Sequence, residues 1–187
     1  MASSARSAAS ASRSRELKLL ELVVVVILIV TFIYVAIDRM LVLRVAAERV
    51  AMQRVLGIVK TAATLELAQL IMRGGPINAA RLETANPMDW LARPPGNYLG
   101  ALDGPDPARI PGGEWYFDTR SHLLIYRVAN GKYFETVLPG PTRAEFKVAL
   151  AYTDVNHNGR YDPAADKLGA IRIVPVQPYR WRHTPAE

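Results

Sequence analysis

Apolar and polar positions divide the chain into a long helical part and a strand-rich part. The densest apolar run is Leu22–Ile37, in which only Thr31 is neither aliphatic nor aromatic. At a rise of about 1.5 Å per residue this run covers roughly 24 Å, and apolar neighbours on both sides extend it toward the hydrocarbon thickness of about 30 Å. A run that is apolar on every face lacks the polar stripe of a soluble surface helix. The pattern therefore predicts a membrane span rather than a buried core helix.

The helical pattern continues past the span, with charged positions added. Apolar residues recur there on a roughly 3.6-residue period among arginines and glutamates, which is typical of an amphipathic helix. No proline occurs between Leu17 and Arg73, and Gly-Gly-Pro follows directly. That tripeptide is an abrupt stop signal. The sequence predicts one continuous helix over residues 17–73, with its membrane part over residues 19–43.

Residues 74–113 predict a connector and a loop. The first part has the composition of a short helix or turn, with Asn78 or Thr84 as candidate N-caps. The second part, residues 94–113, is rich in proline and glycine. It predicts a surface loop, either an interaction surface or a tolerated insertion.

Residues 114–187 predict an antiparallel β head. Apolar positions alternate there, as in strands with one buried face. The pair Asn130-Gly131 suits a tight hairpin turn, and Pro175 restricts the last strand to a sheet edge or end. The predicted strands are Trp115–Asp118, Leu123–Val128, Tyr133–Leu138, Phe146–Tyr152 and Ala170–Val176. A long N-terminal transmembrane and amphipathic helix followed by a small antiparallel sheet is an α+β arrangement.

Much of the excess positive charge lies on the N-terminal leader and on the helix just past the membrane span. The net charge is +6 and the pI is about 9.8. Residues 1–16, mostly Ala, Ser and Arg, predict a disordered leader. Arginines and lysines flank the span on both sides, so the positive-inside rule does not decide its orientation. We interpret this positive charge as residues that contact the membrane surface. A nucleic acid partner is not needed to explain it.

The sequence contains no arrangement of residues that indicates catalysis. His122, His157 and His183 are isolated and lack the spacing of metal ligands or of a base with an orienting acid. Cysteine is absent, so disulfide and thiolate chemistry are excluded. A glycine-rich phosphate loop is missing as well. We therefore predict a protein that is not an enzyme and has no small-molecule substrate.

The residues at the membrane entry carry a family resemblance. Leu17-Lys18-Leu19-Leu20-Glu21, followed by the apolar run, resembles the start of type IV pilins and type II secretion pseudopilins, whose mature helix carries a glutamate at its fifth position. The resemblance implies that this helix packs with those of other pilin-like subunits and that Glu21 pairs with the N-terminal amine of a neighbour. It also implies a bacterial inner-membrane anchor with the head in the periplasm or on an extracellular filament.

Elementary electrostatics leaves two interpretations of Glu21 open. A carboxylate within hydrocarbon costs several kcal/mol by most estimates unless it is paired, which favours an assembly contact. Lys18 lies three residues earlier on the same helix face, so the two side chains also suit an interfacial ion pair at the headgroup level.

Three positions depart from the family pattern. The family's peptidase cuts after glycine, whereas Glu16 precedes Leu17, and Leu17 replaces the usual aromatic first residue. The sequence therefore does not predict cleavage or N-methylation, and it suits an uncleaved atypical subunit or assembly partner. The stretch Ala36-Ile37-Asp38-Arg39 lacks the proline that often kinks the family's helix, so we expect a straighter helix.

A second motif lies in the head. The segment from Asp154 to Asp166 places oxygen-bearing side chains at loop positions 1, 3, 5 and 9, with Gly159 at position 6, as in the first half of an EF-hand loop. Position 12 is Ala165, so the loop resembles the shorter calcium loops of dockerins and thrombospondin repeats. That similarity implies Ca²⁺ as cofactor. The predicted ligands are the side chains of Asp154, Asn156, Asn158, Asp162 and Asp166 and the carbonyl of Arg160. An Asx-rich β-turn is the alternative.

Three functions follow from these patterns. The leading hypothesis is a structural subunit or assembly factor of a type IV pilus-like or type II secretion pseudopilus filament, in which the helix packs with other subunits. The alternative is a membrane-tethered extracytoplasmic module that binds a ligand in a calcium-dependent way. DNA capture through Arg180 and Arg182 is the weakest of the three.

Overall fold

The computed structural model describes residues 3–73, 79–159, 161–162 and 165–182, and it shows an α+β protein. The chain divides into two compact units, Met1–Arg44 and Val45–Glu187. The helices are α1 (Ser3–Met72) and α2 (Ala79–Glu83), with 3-10 turns at Pro87–Trp90, Pro107–Arg109 and Gly131–Tyr133. The strands are β1 (Tyr98–Leu102), β2 (Trp115–Asp118), β3 (Leu123–Arg127), β4 (Phe134–Thr136), β5 (Arg143–Thr153), β6 (Lys167–Pro175) and β7 (Tyr179–Trp181).

The first unit consists of the N-terminal part of α1. The structure starts this helix at Ser3, whereas the sequence analysis started it at Leu17 and treated residues 1–16 as a disordered leader. Alanine and arginine are strong helix formers, and no glycine or proline interrupts these residues, which is the physical reason for the longer helix. At the other end, α1 ends at Met72, one residue before the predicted end at Arg73.

In the described part of the chain, two stretches of α1 are long and apolar enough to cross a membrane. Leu20–Ile37 spans 18 residues with a mean hydropathy of 3.0, and none of it is buried. Leu43–Met72 spans 30 residues with a lower mean hydropathy of 1.5, and it is partly buried. The two stretches therefore differ in burial, because most of Leu43–Met72 belongs to the second compact unit and packs within it.

In the second unit, one face of α1 packs on a mixed sheet with strand order β1-β2-β3-β5-β6. Trp115 lies at the centre of this core, with its ring centroid 4.8 Å from that of Tyr126 and 6.0 Å from that of Phe146. The helix contributes buried Met52, Leu56, Val59, Ala63 and Leu67, and the sheet contributes Trp115, Phe117, Leu124, Tyr126, Phe146, Val148, Ile171 and Ile173. Removal of this apolar surface from water, at about 25 cal/mol per Å², is the main stabilisation of the unit.

The sheet is mixed rather than antiparallel because β1 pairs in parallel with β2. The sequence predicts a loop over Tyr98–Leu102, where the structure has β1, because prolines and glycines on both sides dominate the local composition. The chain between β1 and β2 then returns to the start of the neighbouring strand, as a parallel pair requires. The other pairs in this sheet, β2-β3, β3-β5 and β5-β6, are antiparallel as predicted.

The strand prediction fails in one further place, around β4. The predicted hairpin at Asn130-Gly131 is wrong, because Asn130 has φ −95° and the following residues form a 3-10 turn. As a result, β4 is not part of the main sheet and pairs instead with β7. The sequence does not predict β7. Stacking of Phe134 on Tyr179, with ring centroids 5.2 Å apart, favours this arrangement. Pro175 is the last residue of edge strand β6, as its missing N–H requires.

A carboxylate on α1 joins the helix to the end of β3. Glu48 Oε1 accepts hydrogen bonds from the Tyr126 hydroxyl at 3.0 Å and the Ala129 backbone N–H at 2.7 Å. Its Oε2 accepts from the backbone N–H of Asn130 at 3.0 Å and from the Asn130 side-chain amide at 2.6 Å. The Glu48 carboxylate therefore accepts hydrogen bonds from four donors. Two of them are backbone N–H groups that lie past the end of β3.

The face of the sheet away from α1 is also buried at its centre. Tyr116 is 1% exposed and Ile125 is 5% exposed, and they are neighbours across β2 and β3. Arg143 and Glu145 lie beside them on β5 as an ion pair, with Nε and Oε1 2.8 Å apart. Arg127 donates to the carbonyl of Pro107 at 3.2 Å, so the proline-rich loop is attached to the sheet at this point.

The Tyr116 hydroxyl is buried without a hydrogen-bond partner among the described residues. Burial raises its pKa to about 12, with smaller effects from the charges of Arg143 and Glu145. Because the folded-state pKa is raised, ionisation of this group does not affect stability below about pH 10, and it lowers the free energy of unfolding as the pH rises from about 10 toward 12. Burial, together with the charge of Glu48, raises the pKa of Tyr126 in the same direction.

Tyr116→Phe is expected to raise the free energy of unfolding by about 1 kcal/mol at pH 7, because it removes a buried hydroxyl that no described group satisfies. Between pH 9 and 11.5 the variant should also lose less stability than the wild type. Urea denaturation followed by tryptophan fluorescence at several pH values tests both points. A variant less stable than the wild type at pH 7 would show that the hydroxyl is satisfied in solution.

Candidate functional site

The Asp/Asn-rich loop, residues 154–166, joins β5 to β6. These two strands pair along most of their length, and the hairpin holds both ends of the loop together. His157 and Gly159 adopt positive φ values of 58° and 75°. Glycine at position 159 takes this conformation without steric cost, as the motif requires for its sharp turn.

Asp154 organises the first half of the loop. Its Oδ1 accepts from the Asn158 backbone N–H at 3.2 Å, and its Oδ2 accepts from the Gly159 backbone N–H at 2.8 Å. The Asn156 side-chain oxygen accepts from the same Asn158 N–H at 3.1 Å. The chain therefore folds around the Asp154 carboxylate.

The second half of the loop closes on two aspartates. Asp162 Oδ2 lies 3.2 Å from the Asn156 amide nitrogen and 3.4 Å from that of Asn158. Asp166 is 8% exposed, and its two oxygens accept from the backbone N–H groups of Val155 at 2.9 Å and Asp162 at 2.7 Å. Asp166 therefore ties the two ends of the loop together.

The structure brings four of the predicted ligands into mutual contact and gives the fifth a supporting position. Asp154, Asn156, Asn158 and Asp162 share hydrogen bonds, whereas Asp166 holds the backbone of the loop. Arg160 lies outside the described residues. In the part of the chain that the structure describes, no three His, Cys, Asp or Glu side chains form a metal-binding group. The Asp and Asn side chains of this loop carry carboxylate and amide oxygens. Such oxygens are the ligands that a hard cation prefers, whereas zinc prefers nitrogen and sulfur ligands.

The predicted assembly residues lie on α1 in the first unit. Leu17 is helical, and the side chains of Lys18 and Glu21 are exposed. Among the described residues no ion pair joins Lys18 to Glu21, although they are three residues apart on the helix. The apolar side chains that follow are also exposed, with Leu28 at 64%, Phe32 at 76% and Tyr34 at 75%.

The two C-terminal arginines lie beside an acid that the sequence analysis did not consider. Arg180 is the cross-strand partner of Glu135, and Arg182 forms an ion pair with Glu135 at 3.1 Å. The hydrogen bond and the charge of Arg182 lower the pKa of Glu135, so this carboxylate is ionised at neutral pH. Nucleic acid phosphates would meet a partly neutralised surface here, which disfavours DNA capture through these residues.

The second half of α1 also carries an exposed apolar face, which is not among the predicted sites. Val50, Ile58 and Leu65 are 62%, 49% and 59% exposed, on the side of the helix away from the sheet. An open groove of ≈730 Å³ begins there, lined by Ala47, Val50, Ala51, Arg54 and Ile58 among others. The available signal was a second apolar period on the same helix, offset from the period of the core residues.

Comparisons with protein-family models, with curated protein sequences and with solved structures give no match to this chain.

Proposed function

We propose that the protein is a membrane-anchored assembly subunit of a type IV pilus-like or pseudopilus filament, whose N-terminal helix packs with the helices of other subunits. The observation that carries this proposal is the exposed apolar segment Leu20–Ile37, which includes Glu21 near its start. A segment of this length and hydropathy requires lipid or other helices around it. The carboxylate within it requires a partner of opposite charge.

In this proposal Glu21 supplies the contact that orients neighbouring helices. A cation on the next subunit neutralises it, and the pair is stronger in hydrocarbon than in water because the local dielectric constant is low. Leu17 provides that cation as its N-terminal amine if the leader is removed. The exposure of Glu21 and its lack of an ion pair to Lys18 among the described residues support this role over the interfacial pair.

Glu21→Ala is expected to reduce assembly in native membranes at least tenfold, because the unpaired cation on the neighbour then opposes close helix packing. Chemical cross-linking of the full chain in membranes, followed by sizing of the products, measures this. Lys18→Ala is the matched control and should keep assembly if Glu21 pairs with the N-terminal amine of a neighbouring subunit. A strictly monomeric wild type at all concentrations would refute the proposal, and equal losses in both variants would favour the Lys18–Glu21 pair.

We also propose that the Asp/Asn-rich loop holds Ca²⁺ in the extracytoplasmic head. Asp154, Asn156, Asn158 and Asp162 would supply side-chain oxygens, and Asp166 would position the loop. The hydrogen bonds among these residues support the proposal, since they gather oxygen-bearing side chains within one short loop. Two of the candidate side-chain ligands are neutral amides, which suits the modest affinities of extracellular calcium modules.

The second candidate function is a membrane-tethered module whose calcium loop contacts a ligand. The exposed position of this loop at the end of the β5–β6 hairpin favours it, because loops held by a rigid hairpin often carry recognition. In this case α1 is only an anchor. Scrambling Leu22–Ile37 at constant composition would then leave function intact, whereas the filament proposal requires that function be lost.

A further inference from the structure

Four exposed cations lie around the contact between Glu48 and the end of β3. We call them the basic end of the second unit: Arg49, Lys132, Arg180 and Arg182. Lys132 lies two residues past Asn130, which donates two hydrogen bonds to Glu48. The Arg182 backbone N–H donates to the Tyr133 carbonyl at 2.8 Å. Strand β7 therefore lies beside the 3-10 turn that carries Lys132.

The basic end also includes one turn of α1 and carries an excess of positive charge. Burial raises the pKa of Tyr179 on β7, and the nearby positive charge of Arg49 partly offsets this effect. Two acids belong to the same region. Glu48 accepts four hydrogen bonds, and Glu135 pairs with Arg182. Four cations against two acids leave a net charge of +2.

Apolar and aromatic side chains accompany these cations. Val137 is 71% exposed, and it lines an open hollow of ≈350 Å³ together with Tyr179 and Arg180, among others. Trp181 is half-buried beside them on β7. Cations, amphipathic aromatic rings and exposed aliphatic groups together are the composition of surfaces that lie at a membrane–water interface. The volume of the hollow is that of a small-molecule site, so it is large enough for a lipid headgroup.

The length of the chain places the basic end within reach of the membrane surface. The predicted membrane part ends at residue 43, five residues before Glu48. Five residues reach at most about 18 Å even when they are fully extended. The polar headgroup layer is about 5–8 Å thick, and charges interact over a further screening length of about 8 Å at physiological ionic strength. The groups that contact Glu48 therefore lie close to the layer in which anionic headgroups attract cations.

We propose that the basic end binds the anionic phospholipid surface of the membrane that α1 enters. This inference rests on the membrane anchor of the proposed function and adds a second contact with the same membrane. Each Lys or Arg near an anionic surface strengthens binding about fivefold. The net charge is too small to capture nucleic acid from solution. It is sufficient at the membrane, because the anchor makes the contact intramolecular and so raises the effective concentration of the lipid surface.

Fluorescence quenching in vesicles tests this contact. The chain contains no cysteine, so a single introduced cysteine carries the only fluorophore. Full-length Val137→Cys protein is labelled and reconstituted into vesicles of phosphatidylcholine and phosphatidylglycerol that contain a lipid with a spin-labelled headgroup. Both leaflets have the same composition, so the orientation of the chain does not affect the result. We expect the quenching to be roughly threefold stronger than in vesicles of phosphatidylcholine alone.

Two kinds of control are matched to this measurement. Thr153→Cys carries the same label at an exposed position at the far end of β5, whose first residue pairs with Arg127 close to the basic end, and it should be quenched little in either vesicle. In the Val137→Cys background, Arg180→Glu should lower the quenching to the Thr153→Cys level. Lys132→Glu should do the same without a change in β7. Arg172→Glu makes the same charge change at an exposed position on β6 and should leave the quenching unchanged.

Equal quenching of Val137→Cys and Thr153→Cys would overturn the inference. Equal quenching of Val137→Cys in neutral and anionic vesicles would overturn it as well, because the contact would then not depend on lipid charge. If Glu21-dependent cross-linking persists while Val137→Cys is not quenched, only this inference fails. If alkaline carbonate extracts the wild-type chain from the vesicles, the anchor is refuted, and the proposed function fails together with the inference.

Discussion

Glu48→Ala is expected to lower the free energy of unfolding by about 3 kcal/mol, the largest effect that we predict for a single polar residue. The substitution leaves four donors without their acceptor: the Tyr126 hydroxyl, the Ala129 N–H and two groups of Asn130. Hydrogen bonds to a charged group contribute about 1.5–3 kcal/mol each, and partial access of water to exposed Ala129 reduces the sum. Denaturant unfolding of the detergent-solubilised chain, followed by tryptophan fluorescence to which Trp115 beside Tyr126 contributes, measures the change.

Two variants separate the Glu48 contacts from a general effect of lost charge. Glu66→Ala removes another carboxylate from the same helix, one without a hydrogen bond to the described part of the head, and should change stability by less than about 0.5 kcal/mol. Tyr126→Phe removes one of the four donors and should cost about 1 kcal/mol. Equal effects of Glu48→Ala and Glu66→Ala would show that the four hydrogen bonds do not stabilise the fold.

Saturating Ca²⁺ is expected to raise the free energy of unfolding of the wild type by about 2.7 kcal/mol when the free ion exceeds its dissociation constant a hundredfold. The reason is that the folded loop gathers the ligand oxygens, whereas the unfolded chain separates them. In Asp154→Ala this stabilisation should vanish. Thermal unfolding is measured for each variant with calcium and again after chelation. Because each variant is compared with itself, the difference reports the effect of the ion alone and excludes the effect of losing the hydrogen bonds that Asp154 accepts.

Asp103→Ala is the matched control for the calcium measurement. It removes an exposed aspartate that pairs with Arg120, in a loop separate from the Asp/Asn-rich one, and should retain the full response to calcium. The same concentration of Mg²⁺ should stabilise the wild type less, because Mg²⁺ demands octahedral geometry and loses its water reluctantly. A wild type whose stability does not change with calcium would support the Asx-rich turn instead.

Much of the fold was predictable because the deciding interactions are local. A continuous apolar run, an amphipathic continuation and strict alternation predicted α1 beyond Leu17 and strands β2, β3, β5 and β6. The candidate calcium loop was predictable for the same reason, since its ligands lie within one short segment and its turn depends on Gly159. The hairpin on either side brings the ends of that segment together without help from distant residues.

The errors occurred where a distant partner outweighs local composition. β1 forms in a proline- and glycine-rich region because β2 offers it a free edge, and β4 leaves the sheet because aromatic residues of β7 pack on Phe134. The residue pattern within β1 or β4 does not show which strand each one pairs with. β7, for example, lies more than forty residues from β4 along the chain. The ion pair of Arg182 with Glu135 has the same origin.

The sequence by itself determined which segment is apolar enough to enter a membrane, that the rest alternates as strands, and that one short loop carries a cation-binding pattern. These properties depend on the periods of helix and strand and on residues that are close together along the chain. Only the tertiary structure decided which face of α1 the sheet covers, that Glu48 binds the end of β3, and that Val50, Ile58 and Leu65 on the other face of the helix remain exposed. Those outcomes depend on contacts across most of the chain, where burial and hydrogen-bond geometry exist only after folding.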